Sequence, residues 1–288
     1  MQIGILGNNY RDTTLLIVER IINRLEGRGV QVNICPEIYT GLPDRYRSQS
    51  HVSELKAFVG NDAFLSVGGD GTFLTSAALI GNREIPILGV NTGRLGFLSD
   101  SSIEQLEQSV DDLIAGNVEI ERRSVLHVVS SDSSIKGRRY ALNEIAVLKQ
   151  DHASMISVEA TVDGRLLNIY QADGLIISTP TGSTAYNLSV GGPLLVPESP
   201  SFVISPVATH SLTVRPLVIP DTWRIHLRIG SRSGNYLISI DGRSQTLQQL
   251  TELTIERARY DVLVVHTKGS DFMDTLRKKL LWGSDTRN

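Results

Sequence analysis

Residues 63–80, AFLSVGGDGTFLTSAALI, carry the strongest indication of fold in this chain of 288 residues. A short apolar run leads into the glycine-rich string at 68–72, and a helix-like stretch follows it. This order is typical of a phosphate-binding turn, because a helix N-terminus offers unpaired N–H groups and a partial positive charge. Glycine also lets the backbone approach a ligand closely. We therefore predict a phosphate turn that includes Gly68, Gly69 and Thr72.

Asp70 is the unusual residue of this turn, since its carboxylate would face a polyanion that repels it. A base acting on a hydroxyl that attacks phosphorus explains its presence, and so does a metal ligand. A tight turn with a capping aspartate is the structural alternative. The turn is neither a Walker A loop nor a dinucleotide fingerprint, because the Walker string is absent and the sixth position from Gly69 is Leu74.

Composition indicates an ordinary globular protein, and 288 residues are enough for two domains or one large one. The formal net charge is −3, so we expect no nucleic-acid partner. Cys35 is the only cysteine, which excludes an intramolecular disulfide and a cysteine-based zinc site and fits a reducing compartment. We expect no signal peptide, and no apolar stretch approaches the roughly 20 residues of a membrane span. A cytoplasmic protein with no membrane partner is therefore expected.

The chain changes character near residue 118. Before that point, strand and helix patterns alternate, which favours a parallel sheet with helices on its faces. The predicted strands are 3–6, 30–35, 64–67 and 87–90, and the predicted helices are 13–25 and 102–115.

After residue 118, short strand patterns follow one another, separated by turn signals such as Asp163-Gly164 and Asp241-Gly242. The predicted strands are 125–129, 140–147, 156–162, 174–178, 225–229, 236–240, 253–258 and 262–266. A last helix at 271–281 is expected to return to the first domain. We therefore predict an α/β domain formed by 1–117 plus 268–288 and an all-β domain formed by 118–267.

The second domain carries its own chemical signals. In DGLIISTPTGSTAY at 173–186, an apolar strand ends in hydroxyl residues that can donate to phosphate or sugar oxygens. A capped helix is the structural alternative. Asn143 and Glu144 interrupt the apolar run 140–147, so one of them faces inward unless the strand ends or bulges there. A polar pair on an edge strand is equally compatible with this pattern. Arg94 and His210 are weaker candidates.

Taken in order, four segments resemble bacterial NAD kinase, the ATP-dependent enzyme that makes NADP. They are GGDGT at 68–72, the Asn-Glu pair, the 173–186 string and RPLVIP at 215–220. The resemblance runs from Gly4 to roughly His266. GGDGT alone is shared with diacylglycerol and sphingosine kinases, and a related string occurs in phosphofructokinases. The TPTGSTAY part is far more specific.

The resemblance implies a Rossmann-like α/β domain, a C-terminal β-sandwich and a homo-oligomer, either a dimer or a tetramer. It implies transfer of the γ-phosphate of ATP to the 2′-hydroxyl of the NAD adenosine ribose, with a divalent cation, expected to be Mg²⁺. Asp70 matches the proposed general base, with Gly71 beside the NAD. The other positions that match NAD-binding residues are Asn143, Glu144, Asp173, Thr184, Ala185, Tyr186, Asn187, Leu188, Ser189, Ala208 and Gln245.

Two positions depart from the family pattern. Some members carry a basic residue where this chain has Ser154, and some carry arginine where it has Gln171. Contacts there, and the acceptance of NADH, stay open. A lipid or sugar kinase that shares the glycine turn and an NAD(H)-binding sensor without activity also stay open at this point.

Overall fold

The computed structural model describes residues 1–8, 12–93, 96–99, 101–151, 154–267 and 271–282. The chain divides into two compact units. Met1–Arg122 and Val262–Asn288 form the first unit, and Arg123–Asp261 form the second.

The first unit is built on a parallel sheet. Its strands up to residue 123 are β1 (Gln2–Gly7), β2 (Gln31–Ile34), β3 (Val52–Glu54), β4 (Ala63–Gly68), β5 (Ile87–Asn91) and β6 (Val118–Arg123). Its helices there are α1 (Asp12–Leu25), α2 (Pro36–Tyr39), α3 (Asp44–Arg47), α4 (Asp70–Ile80) and α5 (Leu106–Ala115). The first five strands lie in the order β3-β2-β1-β4-β5 and pair in parallel.

The residues of β4 explain its central position. All six residues of this strand are buried, as expected for a strand covered on both faces in a parallel sheet. The order 3-2-1-4-5 is that of a Rossmann-like domain, and the strand order reverses between β1 and β4. The predicted α/β domain is thus confirmed.

The second unit contains two antiparallel sheets. Its strands are β7 (Leu126–Ser130), β8 (Tyr140–Ala141), β9 (Glu144–Lys149), β10 (Ile156–Val162), β11 (Arg165–Ala172), β12 (Gly174–Ser178), β13 (Ser201–Val207), β14 (Leu217–Pro220), β15 (Ile225–Gly230), β16 (Asn235–Ile240), β17 (Arg243–Gln248) and β18 (Leu253–Arg257). Its short helix is α6 (Tyr186–Ser189). The sheet orders are β11-β10-β15-β18-β7-β8 and β14-β13-β12-β9-β16-β17.

Buried and more exposed residues alternate along the strands, so the two sheets share one core between them. In β10, every second residue is buried, so one face of the strand packs inward. Ile177 and Phe202 of one sheet share a buried cluster with Val158 and Ile255 of the other. The predicted all-β domain is confirmed as a sandwich.

The last part of the chain returns to the first unit. β19 (Val262–Thr267) pairs in parallel with β5 and extends the first sheet to the order β3-β2-β1-β4-β5-β19-β6. The strand was expected in the all-β domain, because its apolar run does not show which sheet it joins. The final helix, α7 (Phe272–Leu280), brings the Lys279 ammonium to 5.5 Å from the Phe97 ring centroid. No helix in the described ranges is long and apolar enough to cross a membrane.

Other differences from the predicted elements have local causes. The predicted strand 140–147 is split between two sheets, and the helix predicted from 102 begins at Leu106. Six strands were not predicted, namely β3, β6, β11, β13, β14 and β17. In β13, Pro206 weakens the strand pattern. At this residue β13 has β12 as its only paired strand, because β14 pairs with residues 201–204, and proline is tolerated where a strand lies at an edge.

Candidate active site

The predicted phosphate turn lies at the junction of β4 and α4. Gly68 ends the strand, Gly69 is the N-cap residue and Asp70 is the first helical residue. A Cβ atom on Gly68 would lie 2.3 Å from the Thr72 hydroxyl oxygen, so this position has no room for a side chain. Cβ atoms on Gly69 or Gly71 would meet no described atom within 4 Å. The N–H groups at this helix start therefore border space that an anion can enter.

Backbone donors from a loop distant in sequence orient the Asp70 carboxylate. The Phe97 N–H donates to Oδ2 at 2.9 Å, and the Leu98 N–H donates to Oδ1 at 3.1 Å. A Cβ atom on Gly96 would lie 1.9 Å from Oδ1, so this close approach requires glycine. Since Gly69 is the N-cap residue, helix capping does not explain the aspartate. Each carboxylate oxygen keeps acceptor capacity for a substrate hydroxyl.

The position of Asp70 in the sheet also favours ligand binding. The residue follows the carboxyl end of β4, beside the carboxyl end of β1, where the strand order reverses. Ligands of open parallel sheets bind outside the carboxyl ends of the strands at such a point. The local motif and the topology thus indicate the same edge of the sheet.

Asn143 and Glu144 lie where the chain passes from one sheet of the second unit to the other. β8 ends at Ala141 and β9 begins at Glu144. The Asp241 carboxylate accepts hydrogen bonds from the N–H groups of the three residues at this break. The distances are 2.7 Å from Leu142, 2.8 Å from Asn143 and 3.1 Å from Glu144. The strand therefore ends at the polar pair, as one of the sequence alternatives required.

In the sequence, Asp241 indicates only a turn, together with Gly242. With φ values of 46° and 77°, Asp241 and Gly242 do form the tight turn between β16 and β17. The second role of the aspartate involves residues 97 to 99 positions earlier in the chain. No local pattern could indicate it.

Glu144 combines burial with an unsatisfied oxygen. The residue is only 9% exposed, and its buried Oε2 has no hydrogen-bond partner among the described residues. Burial, and secondly the Asp241 charge, raise the pKa of Glu144 to about 7, while a backbone hydrogen bond from Tyr186 opposes the shift. An orphaned carboxyl group of this kind can bind a ligand that donates a hydrogen bond.

The hydroxyl-rich loop packs directly on this break. The Thr179 hydroxyl donates to the Leu142 carbonyl oxygen at 2.5 Å and accepts the Gly182 N–H at 3.1 Å. The Thr179 N–H donates to the Asn143 carbonyl oxygen at 2.9 Å. The structure thus brings together the Asn-Glu pair and the start of the loop.

The expected binding residues of this loop differ in exposure. Asn187 is fully buried, and its side chain bonds to Ser183, Pro193 and Ser205. Its side chain therefore supports the loop, and a direct contact between Asn187 and NAD stays a prediction. The other members of the set are partly or fully exposed, namely Thr184, Ala185, Tyr186, Leu188 and Ser189.

Two expected NAD-binding residues, Asp173 and Ala208, lie at the end of β12 opposite to Glu144. The last residue of that strand, Ser178, pairs with Glu144. Its first residue follows Asp173 and lies opposite the end of β13, which Ala208 follows. Because β12 has five residues, roughly 17 Å separate the two groups. The expected NAD-binding positions of the second unit thus form two groups.

The group at the far end has its own interactions. The Asp173 carboxylate forms an ion pair with Lys149 at 2.7 Å, and Ala208 has a φ of 44°, which is rare for a residue with a side chain. Gln171 accepts the His210 N–H at 2.9 Å through its backbone oxygen. This hydrogen bond joins backbone atoms only, so it assigns no role to the His210 side chain. Ser154 is partly buried.

Two further predictions concern charge, namely Arg94 as a positive group and a bound metal ion. Arg94 lies outside the described residues. Within the described ranges, no group of three or more His, Cys, Asp or Glu residues is arranged to hold a metal ion.

Gln245, an expected NAD-binding residue, accepts the Lys136 N–H at 3.0 Å through its side-chain oxygen, beside the Asp241 turn.

Comparison with known proteins identifies the family. The model described as ATP-NAD kinase N-terminal domain matches residues 3–118, and the one described as ATP-NAD kinase C-terminal domain matches residues 142–267. The chain belongs to the NAD kinase family. The NAD kinase of Bacteroides fragilis is 46% identical, and that of Christiangramia forsetii is 42% identical, each over the full length of both chains.

Solved structures agree with this membership. Yeast NADH kinase complexed with NADH has a TM-score of 0.89 and 26% identity, covering 100% of this chain and 89% of that one. An NAD kinase from Archaeoglobus fulgidus in complex with ATP has a TM-score of 0.75 and 27% identity, covering 98% and 99%. As a member of the NAD kinase family, the chain is a phosphotransferase.

Proposed function

We propose that this NAD kinase transfers the γ-phosphoryl group of ATP to the 2′-hydroxyl of the adenosine ribose of NAD, yielding NADP and ADP. The observation that carries the assignment of roles is the Asp70 carboxylate, oriented by the N–H groups of Phe97 and Leu98 at 2.9 and 3.1 Å. Phosphoryl transfer has a loose transition state, so alignment and charge neutralisation supply most of the catalysis.

Asp70 acts as the aligner and base in this proposal. Its free acceptor sites take the hydrogen bond of the 2′-hydroxyl, and the carboxylate accepts the proton late in the transfer. The N–H groups at the start of α4 bind phosphate oxygens. A divalent cation, Mg²⁺ in this proposal, would supply charge neutralisation on the phosphates of ATP. We also propose that the chain works in the cytoplasm.

Glu144 and the exposed residues of the hydroxyl-rich loop bind NAD. The orphaned Oε2 of Glu144 supports this role, because a ribose hydroxyl would supply the missing hydrogen bond. Asp173 and Ala208 form a second group of contacts. We propose a homo-oligomer, a dimer or a tetramer, and the separation of the two groups along β12 is compatible with contacts to different NAD molecules.

The basic test is NADP formation from NAD, ATP and Mg²⁺ by the purified chain. We expect 2′-deoxy-NAD to bind and inhibit without being phosphorylated, because it lacks the attacking hydroxyl. Diacylglycerol, sphingosine and fructose 6-phosphate should be inert. Phosphate transfer to a lipid or a hexose without NADP formation would replace this proposal with the lipid or sugar kinase reading.

Asp70→Asn tests the role of the carboxylate. Turnover should fall by about two to four orders of magnitude, the usual range for general acid–base catalysis. Equilibrium binding of NAD should change little, since the proposed NAD contacts of Glu144 are retained. Near-normal turnover in this variant would remove Asp70 from the mechanism.

A further inference from the structure

A basic segment of the second unit lies alongside the turn between β16 and β17. At one end, the Lys136 N–H donates to the Gln245 side-chain oxygen at 3.0 Å. At the other end, the Leu142 N–H donates to Asp241 Oδ2 at 2.7 Å. Residue 136 contacts residue 245, and residue 142 contacts residue 241, so the two segments are antiparallel. Arg138 lies between these contacts on one segment and Arg243 lies between them on the other, and the charge of Arg243 acts on Arg138.

Arg138 is held in an unusual state for an arginine. Its buried Nη1 has no hydrogen-bond partner among the described residues, whereas Arg139 donates to the Ile135 carbonyl oxygen at 3.3 Å. Burial, and secondly the positive charge of Arg243, lower the pKa of the Arg138 guanidinium. Two neighbouring like charges and an unpaired buried N–H are both relieved when an anion binds between them.

The surrounding charges also favour an anion. Arg138 and Arg243 carry two neighbouring positive charges, and the carboxylate that interacts with Arg243 is that of Asp241. Asp241 already accepts three backbone N–H groups. Tyr260 borders the cluster, since it and Arg138 interact electrostatically. The cluster therefore keeps an excess of positive charge.

We propose that Arg138 and Arg243 form a binding site for a polyphosphate group beside the break at Asn143 and Glu144. Guanidinium groups match phosphate geometry through paired N–H donors. The identity of the ligand rests on the proposed function, which offers two sources of this chemistry. One is the triphosphate of ATP, and the other is the pyrophosphate of NAD.

The test compares Arg138→Gln and Arg243→Gln in the full chain with Arg165→Gln, an exposed arginine on the edge strand β11. Inorganic triphosphate is titrated by calorimetry, and steady-state kinetics give KM for ATP and for NAD. Each of the first two variants should bind triphosphate about tenfold more weakly or worse, and the Arg165 control should bind it as the parent chain does. Arg138→Lys keeps the charge but loses the paired N–H donors, so it should restore only part of the affinity.

The two sources of the ligand separate in the kinetics. A raised KM for ATP alone assigns the site to the triphosphate, and a raised KM for NAD alone assigns it to the pyrophosphate. Unchanged triphosphate affinity in folded variants at both positions would overturn the site. If the parent chain forms no NADP, the proposed function fails, but the triphosphate titration still decides whether the site exists.

Discussion

Asp70 and Gly96 depend on each other at the scale of single residues. The carboxylate is oriented by the loop at 96–98, and that loop approaches closely only because residue 96 has no side chain. Gly96 carries no reacting group, so its role is to position Asp70.

Gly96→Ala should therefore lower turnover at least tenfold, because the added methyl must displace either the loop or the carboxylate. Overpacking of this kind typically costs about 1–3 kcal/mol of stability. NADP formation and thermal unfolding measure the two effects. Gly230→Ala is the control, since its Cβ would make an ordinary contact at 3.6 Å with Ser157. Parent-like turnover and stability in Gly96→Ala would contradict the positioning role.

Glu144 predicts a pH dependence of stability. The folded chain holds the Glu144 proton up to a pKa of about 7, whereas the ordinary value is 4.5. The folded state therefore binds more protons between these values, and the free energy of unfolding falls as pH rises from about 4.5 to 7. Glu144→Gln removes this loss, so the variant should gain on the parent chain between pH 5 and pH 8 by up to about 3 kcal/mol.

Denaturant titrations at the two pH values measure this gain. Asp241→Asn serves as a second variant, because removal of its charge should shift the pH window of the parent chain downward. An equal difference between parent and Glu144→Gln at both pH values would contradict the prediction.

At the scale of elements, the hydroxyl-rich loop shows how a short segment obtains a fixed shape. α6 has only four residues, and a helix of that length is not stable by itself. The buried Asn187 amide joins it to the carbonyl oxygens of Ser183 and Pro193 and to the Ser205 hydroxyl. The geometry of the proposed NAD contacts thus depends on a side chain that faces away from solvent.

Asn187→Ala should destabilise the second unit by about 2–4 kcal/mol, since it removes three hydrogen bonds and leaves buried partners unpaired. The KM for NAD should rise as the loop loses its shape. Chemical unfolding and steady-state kinetics measure these changes. Asn168→Ala on β11 is the control at a half-exposed position. A raised KM with parent-like stability would instead indicate that Asn187 contacts NAD directly.

At the scale of the whole molecule, the first unit is discontinuous in sequence. β19 comes from the last part of the chain and lies between β5 and β6 in the sheet. The first unit therefore needs both ends of the chain, while the second unit uses one continuous segment.

A chain that ends at Asp261 should lose the fold of the first unit, because an internal strand of the sheet is missing. The segment 123–261 should remain folded, since both of its sheets are complete. Circular dichroism and amide exchange distinguish the two units. A chain that ends at Thr267 keeps β19 and serves as the control. A folded first unit in the shorter chain would contradict this account.

The sequence alone determined the features that depend on neighbouring residues. The buried run of β4, the glycines and the start of α4 lie within 18 positions, so local periodicity and turn chemistry indicated the parallel α/β domain and its phosphate turn. The same holds for the alternation of β10 and the tight turn at Asp241.

Only the tertiary structure decided the contacts between distant segments. The register of β19 placed it in the first sheet, Gly96 acquired its role from Asp70, and Asp241 acquired its second role at the break before β9. An apolar strand carries no label for its partner, and a carboxylate accepts whichever N–H groups the fold brings near. These interactions were invisible in the sequence because packing over long separations, and no local preference, selects them.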